Sequence, residues 1–492
     1  MTRSASCLFA VLALALGFGS PAAARDRLSR PALEQQVESV LAQAGPGTRF
    51  GLLVTTTDGE ELLAIAADSR FIPASNVKVF TTAAAFDSLE GLDAPDQAGG
   101  TIVRLQPNRQ APPDVILEGR GDARMTSAPD CVTNCLAALA DAVAARTKVV
   151  HNVVGDASFF PDERWSLGMS WNNIPTRSGT GISALSLDDN ELALRVSPGA
   201  VGQPPKLEIA SYYRVDNRAL TVSEGKTDLS FERLPGTTVV RLAGTIAQGS
   251  EPKLLRLGID DPAHYAAWRF RAFLESRGVR VIGAVTAKHR PMLPLDGRPA
   301  GEIVPEPLPS ESGALAALTP PPLSQDLRHI NKVSQNVHAE LMLRRLGRYK
   351  GTGSVADGVA AIRTMLERAG VPGNTYELAD GSGMSTYNRV TPRGMVTLLR
   401  WIGTKPWGTQ WRATLPTGGI DGTLASRFRG TALQGRVFAK TGTLHATYAL
   451  SGYLIANSGR TLLFSAFAND VPEDVSATKA LDSALELIAR EN

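Results

Sequence analysis

Apolar residues recur with helical and strand-like spacing near both ends of the chain. Residues 32–44 place apolar side chains on one helical face, which predicts an amphipathic helix. Two apolar stretches then flank Asp58-Gly59, a pair of residues typical of a hairpin turn. Toward the C-terminus the order is reversed, since two predicted strands around residues 457–459 precede a helical stretch at 476–492. We therefore expect an α/β domain built from both ends of the chain.

The middle of the chain follows a different pattern. Residues 196–256 alternate polar and apolar positions between turn residues, which predicts a small module made mainly of β-strands. Mixed segments surround this module, and residues 262–278 have helical periodicity. The proline-rich residues 302–324 are typical of a linker. The simplest organisation is one large insertion between the two halves of the end-built domain.

Composition and charge exclude some classes of function but do not identify one. The 492 residues are 43% hydrophobic and 20% charged, as in soluble globular proteins, and the length predicts two or three domains. The formal net charge is +3, and the lysines and arginines are scattered along the chain. We therefore expect no nucleic-acid partner and no strongly charged membrane-binding surface. The sequence does not set the oligomeric state.

The first 24 residues have the features of a signal peptide. Arg3 supplies the positive charge, residues 8–19 form a short apolar run, and small residues end at Ala24, where we expect cleavage. The run is too short to span a bilayer comfortably, and no second run of this kind follows. We therefore expect an exported, periplasmic protein whose membrane contact is at most peripheral.

The cysteines and histidines indicate neither a metal site nor a cofactor. Cys7 would leave with the signal peptide, whereas Cys131 and Cys135 remain. These two are able to form a disulfide in an oxidising compartment, and the alternative is two small apolar residues near the start of a helix. Because no second Cys/His pair stands at ligand spacing, we expect no zinc site. His338 and His445 lie near the motifs described below but fit no triad order.

A serine and a lysine stand three residues apart at the start of an apolar stretch, "FIPASNVKVFTTAAAF". If a helix begins near Ser75, then Ser75 and Lys78 share one face of it. A serine hydroxyl becomes a nucleophile when a neighbouring base takes its proton, and a buried, neutral lysine is such a base. The motif alone is weak, because a solvated lysine on a helix is the usual interpretation of S-x-x-K.

Two further motifs strengthen the hypothesis of a catalytic serine. Ser334 and Asn336 open a helical stretch, and Lys440 and Gly442 belong to a Lys-Thr-Gly sequence at the end of a predicted strand. In this order, S-x-x-K, S-x-N and K-T-G form the signature of penicillin-binding proteins and β-lactamases. We expect Ser334 to relay a proton to the leaving amine, and Asn336 to hold a substrate amide. We expect Lys440 to supply positive charge for a substrate carboxylate and to keep Lys78 unprotonated, and Gly442 to let a substrate backbone approach.

The long insertion between the first two motifs resembles one branch of this group. The chain is similar to the class C low-molecular-mass penicillin-binding proteins, the D-alanyl-D-alanine carboxypeptidase/endopeptidases of the penicillin-binding protein 4 type. The resemblance covers nearly the whole mature chain, and the blocks that carry it are "LEGRGDARM", "SALSLDDNELALRVSPG", "NKVSQNVHAELML", "DGSGMSTYNRVTP", "LPTGGIDGTLASRF" and "AKTGTL".

The resemblance implies an α+β fold with a five-stranded antiparallel sheet, helices and two nested inserted domains. The expected boundaries are a signal peptide at 1–24, a catalytic domain at 25–98 and 308–492, an inserted domain at 99–195 and 257–307, and a nested, mainly β domain at 196–256.

The implied reaction is serine D,D-peptidase chemistry on peptidoglycan stem peptides and cross-links. Ser75 is acylated, the D-alanine or cross-linked amine leaves, and water releases the acyl group. The backbone N–H groups of Ser75 and Thr443 form the oxyanion hole, while Thr441 and Gly442 bind substrate. Asp156 matches a family position that faces the stem-peptide side chain from the inserted domain. β-Lactams acylate the same serine and leave slowly.

Three positions depart from the family pattern. Gln335 stands where aspartate is common in the second motif, and "GDARM" stands where "GDP" is usual. Thr386 occupies a position that often carries an arginine for the carboxylate of diaminopimelate, although Arg389 lies three residues further on. This departure leaves open which residue the enzyme prefers at the third position of the stem peptide. The balance between carboxypeptidase and endopeptidase activity is also left open by the sequence.

Two other functions compete with this prediction. A β-lactamase or esterase on the same scaffold would need fast deacylation, and the sequence has no E-x-x-L-N motif to supply a deacylating glutamate. A non-catalytic module that binds or senses the cell wall would not need both Lys78 and Lys440. We therefore expect an enzyme.

Overall fold

The computed structural model describes residues 29–297 and 313–492. The predicted signal peptide at 1–24 and residues 302–312 of the proline-rich segment lie outside the described residues. Within the described residues, no helix combines the length and apolar character that crossing a membrane requires.

The α-helices in the described residues fall mainly in the two end portions of the chain. They are α1 Arg30–Leu41, α2 Val77–Ser88, α3 Leu136–Arg146, α4 Pro262–Ser276, α5 Leu323–Val333, α6 Asn336–Lys350, α7 Val355–Arg368, α8 Pro392–Gly403, α9 Gly408–Ala413 and α10 Ala477–Glu491.

The strands occupy both ends and most of the middle of the chain. They are β1 Arg49–Thr56, β2 Glu61–Ile65, β3 Ile102–Gln106, β4 Asp114–Glu118, β5 Val149–Val150, β6 Val153–Pro161, β7 Glu191–Ser197, β8 Lys206–Ile209, β9 Arg214–Asn217, β10 Leu220–Val222, β11 Asp228–Glu232, β12 Val239–Ala247, β13 Lys253–Gly258, β14 Arg280–Val281, β15 Val285–Arg290, β16 Ala316–Ala317, β17 Tyr376–Glu377, β18 Arg389–Val390, β19 Val437–Leu444, β20 Thr447–Ile455 and β21 Thr461–Asn469.

The central sheet joins the two ends of the chain. Its strand order is β19-β20-β21-β1-β2, and every neighbouring pair is antiparallel. The two hairpins predicted around Asp58-Gly59 and residues 457–459 are the β1–β2 and β20–β21 pairs. The expectation of an antiparallel five-stranded sheet is therefore confirmed. The predicted helix at 32–44 is shorter than expected, because α1 ends at Leu41 and a 3₁₀ turn covers Ala42–Ala44.

Apolar residues cover both faces of this sheet. On one face, α1 and α10 pack against buried side chains such as Leu52, Val54 and Phe464. On the other face, α8 packs against β1 and β21, while α2 contacts α5, α6, α7 and α9 and has nearly all of its side chains buried. This all-round burial explains why α2 lacks the amphipathic pattern of a surface helix. The polar side chains of Lys78, Thr81 and Thr82 on α2 therefore lie in the protein interior.

The insertion contains its own sheets. A five-stranded sheet has the order β15-β6-β4-β3-β16, and a three-stranded sheet has the order β13-β7-β8. A four-stranded sheet is formed by β9 to β12, which agrees with the predicted β-rich module. Because β16 pairs with β3, the chain is still part of the insertion's sheet at Ala317, beyond the expected return at residue 308.

The two cysteines of the insertion are paired. Cys131 and Cys135 form a disulfide just before α3. Of the two alternatives for "CVTNC", the structure has the disulfide, and the loop it closes is short, so its entropic contribution to stability is small.

Candidate active site

The first motif lies at the junction between a 3₁₀ turn and α2. The turn covers Ala74–Asn76, and α2 starts at Val77. In a 3₁₀ turn, residues i and i+3 lie almost directly above one another. This geometry places the Lys78 Nζ atom 3.1 Å from the Ser75 Oγ atom, within hydrogen-bonding distance. The predicted pairing of the serine with the lysine is therefore present in the structure.

Lys78 is completely buried and has two further acceptors. Its Nζ atom donates to the Asn336 Oδ1 atom at 2.6 Å and to the Ser382 carbonyl at 2.6 Å. Burial lowers the pKa of Lys78 to about 7, although the charges of Asp380 and Glu340 act in the opposite direction. At neutral pH a substantial fraction of Lys78 is consequently an amine, the form that accepts a proton.

The second motif lies at the junction of two helices. Ser334 ends α5 in the left-handed conformation, with φ of 63°, and α6 begins two residues later at Asn336. The Gln335 side chain accepts a hydrogen bond from the Val337 N–H and caps α6. This sharp junction brings Asn336 to Lys78, while the Ser334 Oγ atom accepts a hydrogen bond from Lys440.

The third motif lies on β19, at the edge of the central sheet. The Lys440 Nζ atom donates to the Ser334 Oγ atom at 2.9 Å and to the Thr441 carbonyl at 2.9 Å. Burial and then the charge of Lys78 lower the pKa of Lys440 well below its usual range. Sequence analysis expected burial and a second cation, Lys440, to keep Lys78 unprotonated, and burial is the main cause of the low pKa at both lysines.

The structure gives a reason for a glycine at position 442 that sequence analysis did not identify. A Cβ atom at this position would lie 2.7 Å from the Pro73 carbonyl oxygen and 3.1 Å from the Asn76 side-chain nitrogen. The glycine therefore lets β19 approach the turn that carries Ser75. The prediction that it makes room for substrate backbone is compatible with this position but is not tested by it.

The three motifs meet at one cavity of about 490 Å³. Its walls contain hydroxyl groups from all three motifs, together with Thr443 of β19 and residues of the insertion. The residues named by the sequence that line it are Ser75, Ser334, Asn336, Thr441, Gly442 and Thr443. The charged side chains among its described lining residues are Arg177 and Arg427, so the cavity suits an anionic ligand.

Sequence analysis missed several residues that hold the motifs together. Asn76 donates from its side chain to the Lys440 carbonyl at 3.0 Å, which links the first motif to the third. The Asn336 side chain also donates to the Ser178 carbonyl at 2.9 Å, so the insertion contacts the second motif directly. Neither contact has a sequence signal, because both join residues far apart in the chain.

Asp156 is not brought to this cavity. It lies on β6, where its carboxylate accepts hydrogen bonds from Lys288 at 2.9 Å and from Ser158. Thr386 donates to the Gly168 carbonyl, and the Arg389 guanidinium donates to the Thr386 and Asn388 carbonyls. A substrate contact of Asp156 stays a prediction.

A group of histidine and aspartate side chains lies near α6. The ligand atoms of Asp189, His329 and His338 lie within 4.8 Å of one another. Both ring nitrogens of His338 are already hydrogen-bonded, to Asp326 and Asp189, and these carboxylates raise the pKa of His338 to about 10, although burial opposes them. A protonated imidazole cannot bind a metal ion, so this donor set fits an ion pair between the insertion and α6.

A serine beside a buried lysine, on a penicillin-recognising α/β scaffold, defines the class of serine hydrolases with an S-x-x-K nucleophile. The model of the D-Ala-D-Ala carboxypeptidase 3 (S13) family matches residues 33–492, and the chain belongs to this family. The expectations of a peptidase and of a penicillin-binding-protein relative are thereby confirmed.

Two relatives with curated names cover most of the chain. The D-alanyl-D-alanine carboxypeptidase of Actinomadura sp. (strain R39) is 35% identical over 463 residues, which are 90% of this chain and 79% of the relative. The D-alanyl-D-alanine carboxypeptidase DacB of Haemophilus influenzae is 24% identical over 438 residues, 86% of each chain.

Solved structures support the same fold. The crystal structure of penicillin binding protein 4 (dacB) from Haemophilus influenzae has a TM-score of 0.75 and 22% identity, and the match covers 91% of this chain and 98% of that chain. A structure of the same protein complexed with a novel β-lactam has a TM-score of 0.71, 21% identity, and coverage of 92% and 98%.

Proposed function

We propose that this chain hydrolyses D-alanyl-D-alanine termini and cross-links of peptidoglycan stem peptides through an acyl-enzyme on Ser75. The observation that carries the proposal is the 3.1 Å contact between the Ser75 Oγ atom and the Nζ atom of the buried Lys78. The names of the relatives with D,D-carboxypeptidase activity supply the substrate class.

Acylation begins with proton transfer from Ser75 to Lys78. The Lys78 amine takes the hydroxyl proton while the Ser75 Oγ atom attacks the carbonyl carbon of the scissile bond. Positioned acid–base catalysis of this kind contributes about 10²- to 10⁴-fold to rate. The backbone N–H groups of Ser75 and Thr443 are the proposed oxyanion donors, and both residues line the cavity.

Departure of the amine needs a proton, and we propose that Ser334 delivers it. The Ser334 Oγ atom accepts from Lys440, and Lys78 contacts both Ser75 and Asn336. The proposed path carries the proton that Lys78 took from Ser75 through the Ser334 hydroxyl to the leaving nitrogen, so that Lys78 becomes an amine again. A water molecule then attacks the acyl carbon, with Lys78 again as the base.

Recognition of the substrate follows from the hydroxyl groups and positive charges of the cavity. We propose that Lys440, Thr441 and Arg427 attract the C-terminal carboxylate, while the Asn336 amide binds a backbone carbonyl of the acyl part. Arg427 lines the cavity and also pairs with Asp482, which fixes its guanidinium.

The proposal includes export and a modular organisation. The features of residues 1–24 support a signal peptide and a periplasmic location, where peptidoglycan is the natural substrate. The separate sheets of the insertion support an inserted domain that carries a nested β-rich domain.

Labelling with a fluorescent penicillin, followed by intact mass, tests the function. We expect a stable adduct on the mature protein, none on Ser75→Ala, and a normal adduct on the control Ser88→Ala at the end of the same helix. Turnover of penicillin without an adduct would instead indicate a β-lactamase. Neither adduct nor turnover would contradict the proposed chemistry and favour a binding module.

A further inference from the structure

Two buried carboxylates act on Lys78 through their charge and are not among the residues that line the cavity. Glu340 is on α6, one turn beyond Asn336, and Asp380 starts the segment 380–385, which follows β17. Their relative exposures are 4% and 0%. Buried acids are costly unless they are paired or hydrogen-bonded, so their presence beside a catalytic lysine needs an explanation.

Glu340 fixes the peptide group that accepts a hydrogen bond from Lys78. Its Oε1 atom accepts from the Gly381 N–H at 3.0 Å and from the Ser382 N–H at 2.9 Å. The carbonyl of Ser382 in turn accepts from the Lys78 Nζ atom at 2.6 Å. The Oε2 atom of Glu340 accepts from Arg344 at 2.9 Å, which satisfies the other side of the carboxylate.

Asp380 fixes the rest of the same segment. Its carboxylate accepts from the Gly383 N–H at 2.8 Å, from the Ser385 N–H at 2.6 Å and from the Asn388 side chain at 2.8 Å. A Cβ atom on Gly383 would lie 1.9 Å from the carbonyl oxygen of Ala74 and 2.9 Å from the Ser75 nitrogen. The segment therefore packs directly against the turn that carries Ser75.

The carboxylates near Lys78 and its burial act on the pKa of this lysine in opposite directions. The carboxylates of Asp380 and Glu340 favour its ammonium form, whereas burial opposes that form. Of the cations nearby, Lys440 lies close enough for the charge of Lys78 to lower its pKa, and Arg344 is paired with Glu340. Burial and the charge of Glu340 raise the pKa of Asp380 to about 7, while its own hydrogen bonds lower it. When Lys78 gains a proton, Glu340 and the ionised fraction of Asp380 supply negative charge that stabilises it.

We propose that Glu340 and Asp380 are positioning residues that hold segment 380–385 against Ser75 and stabilise the ammonium that Lys78 becomes during acylation. In that step the Ser75 O–H bond breaks and a Lys78 N–H bond forms. The Oγ electron pair bonds to the carbonyl carbon, and the carbonyl π pair moves to the oxyanion. The two acids act through Lys78 and contact neither substrate nor nucleophile. This inference rests on the proposed role of Lys78 as the base.

The test is the pH dependence of penicillin acylation by Glu340→Gln. A glutamine retains an oxygen for the Gly381 and Ser382 N–H groups but removes the negative charge. Without that charge Lys78 loses its proton more readily, so the acidic limb of the rate profile should move about one unit to lower pH. Because Lys78 is then a weaker base, the plateau rate should fall about tenfold. The exposed Glu367→Gln on α7 is the matched control and should change neither quantity.

Two further variants distinguish the expected effect from a folding defect. Glu340→Gln combined with Arg344→Met avoids an unpaired buried guanidinium, and Asp380→Asn removes the other charge. Each should move the acidic limb to lower pH in protein that remains folded by circular dichroism. A lower plateau with an unmoved limb, or an unchanged profile, would overturn the inference and leave a packing role only. Failure of the wild-type protein to be acylated would instead contradict the proposed function itself.

Discussion

The two buried lysines of the site have opposite surroundings. Lys78 has three hydrogen-bond acceptors and two carboxylates whose charge acts on it. Lys440 has a serine hydroxyl and a backbone carbonyl as acceptors, and the charged group that shifts its pKa is the other lysine. Both are completely buried. The same residue type, at the same degree of burial, is therefore prepared for two different tasks.

The two lysines differ in the source of the negative charge that stabilises their ammonium forms. Lys78 has protein carboxylates nearby, so its ammonium form is tolerated once it has taken a proton. Lys440 depends on an anion that arrives from the cavity, and a substrate C-terminal carboxylate is such an anion. Substrate binding should consequently raise the pKa of Lys440 and be accompanied by the uptake of a proton.

Replacement of Lys78 should have the largest effect. Lys78→Met removes the base, and we expect the rate constant for acylation by penicillin to fall about 10³-fold. Stopped-flow measurement with a fluorescent penicillin checks this, and the exposed Lys479→Met on α10 is the control. A loss below tenfold, in folded protein, would show that another group accepts the proton.

Replacement of Lys440 should depend on the substrate. We expect Lys440→Met to reduce kcat/KM about 100-fold for a peptide that ends in D-alanyl-D-alanine. The same peptide with a C-terminal amide should be nearly as poor a substrate for the wild type as for the variant, since it lacks the carboxylate. Equal losses on both peptides would contradict the assignment of Lys440 to the carboxylate.

Substitution of Asn336 should sharpen the comparison by changing the charge at Lys78. Asn336→Asp places a third carboxylate at the Lys78 Nζ atom, which raises the pKa of this lysine by about one unit or more. Since only the amine accepts a proton, the acidic limb should move to higher pH, and acylation at pH 7 should fall about tenfold. If the acidic limb of the acylation rate profile stays at the same pH as in the wild type, Lys78 is not the titrating group.

Asp156→Asn should have the smallest effect. The Asp156 carboxylate pairs with Lys288 and lies outside the cavity lining, so we expect less than a twofold change in acylation by penicillin and in peptide hydrolysis. A selective loss with stem peptides would restore the substrate contact that the family resemblance implies.

Sequence analysis predicted best the features that depend on residues close together in the chain. The hairpins around Asp58-Gly59 and residues 457–459 follow from turn chemistry and alternating apolar positions. Ser75 and Lys78 are three residues apart, so one turn of helix brings them together. The chain order of the three motifs was enough to predict that Ser334 and Lys440 would join them.

The remaining features depend on contacts between distant segments. Glu340 and Ser382 meet only after α6 and the segment after β17 have packed together. Gly442 is explained by the approach of β19 to Pro73, which no spacing within the chain indicates. The low pKa of Lys78 also depends on such contacts, because its complete burial arises from the helices packed around α2.

The central claim is that a substantial fraction of Lys78 is unprotonated when the free enzyme meets its substrate at neutral pH. An NMR titration of lysine labelled with ¹³C at Cε measures this directly, with the Lys78 signal assigned by its loss in Lys78→Arg. We predict a midpoint near pH 7 for Lys78, against about 10.4 for exposed lysines. A Lys78 signal that remains that of an ammonium up to pH 9 would contradict the mechanism.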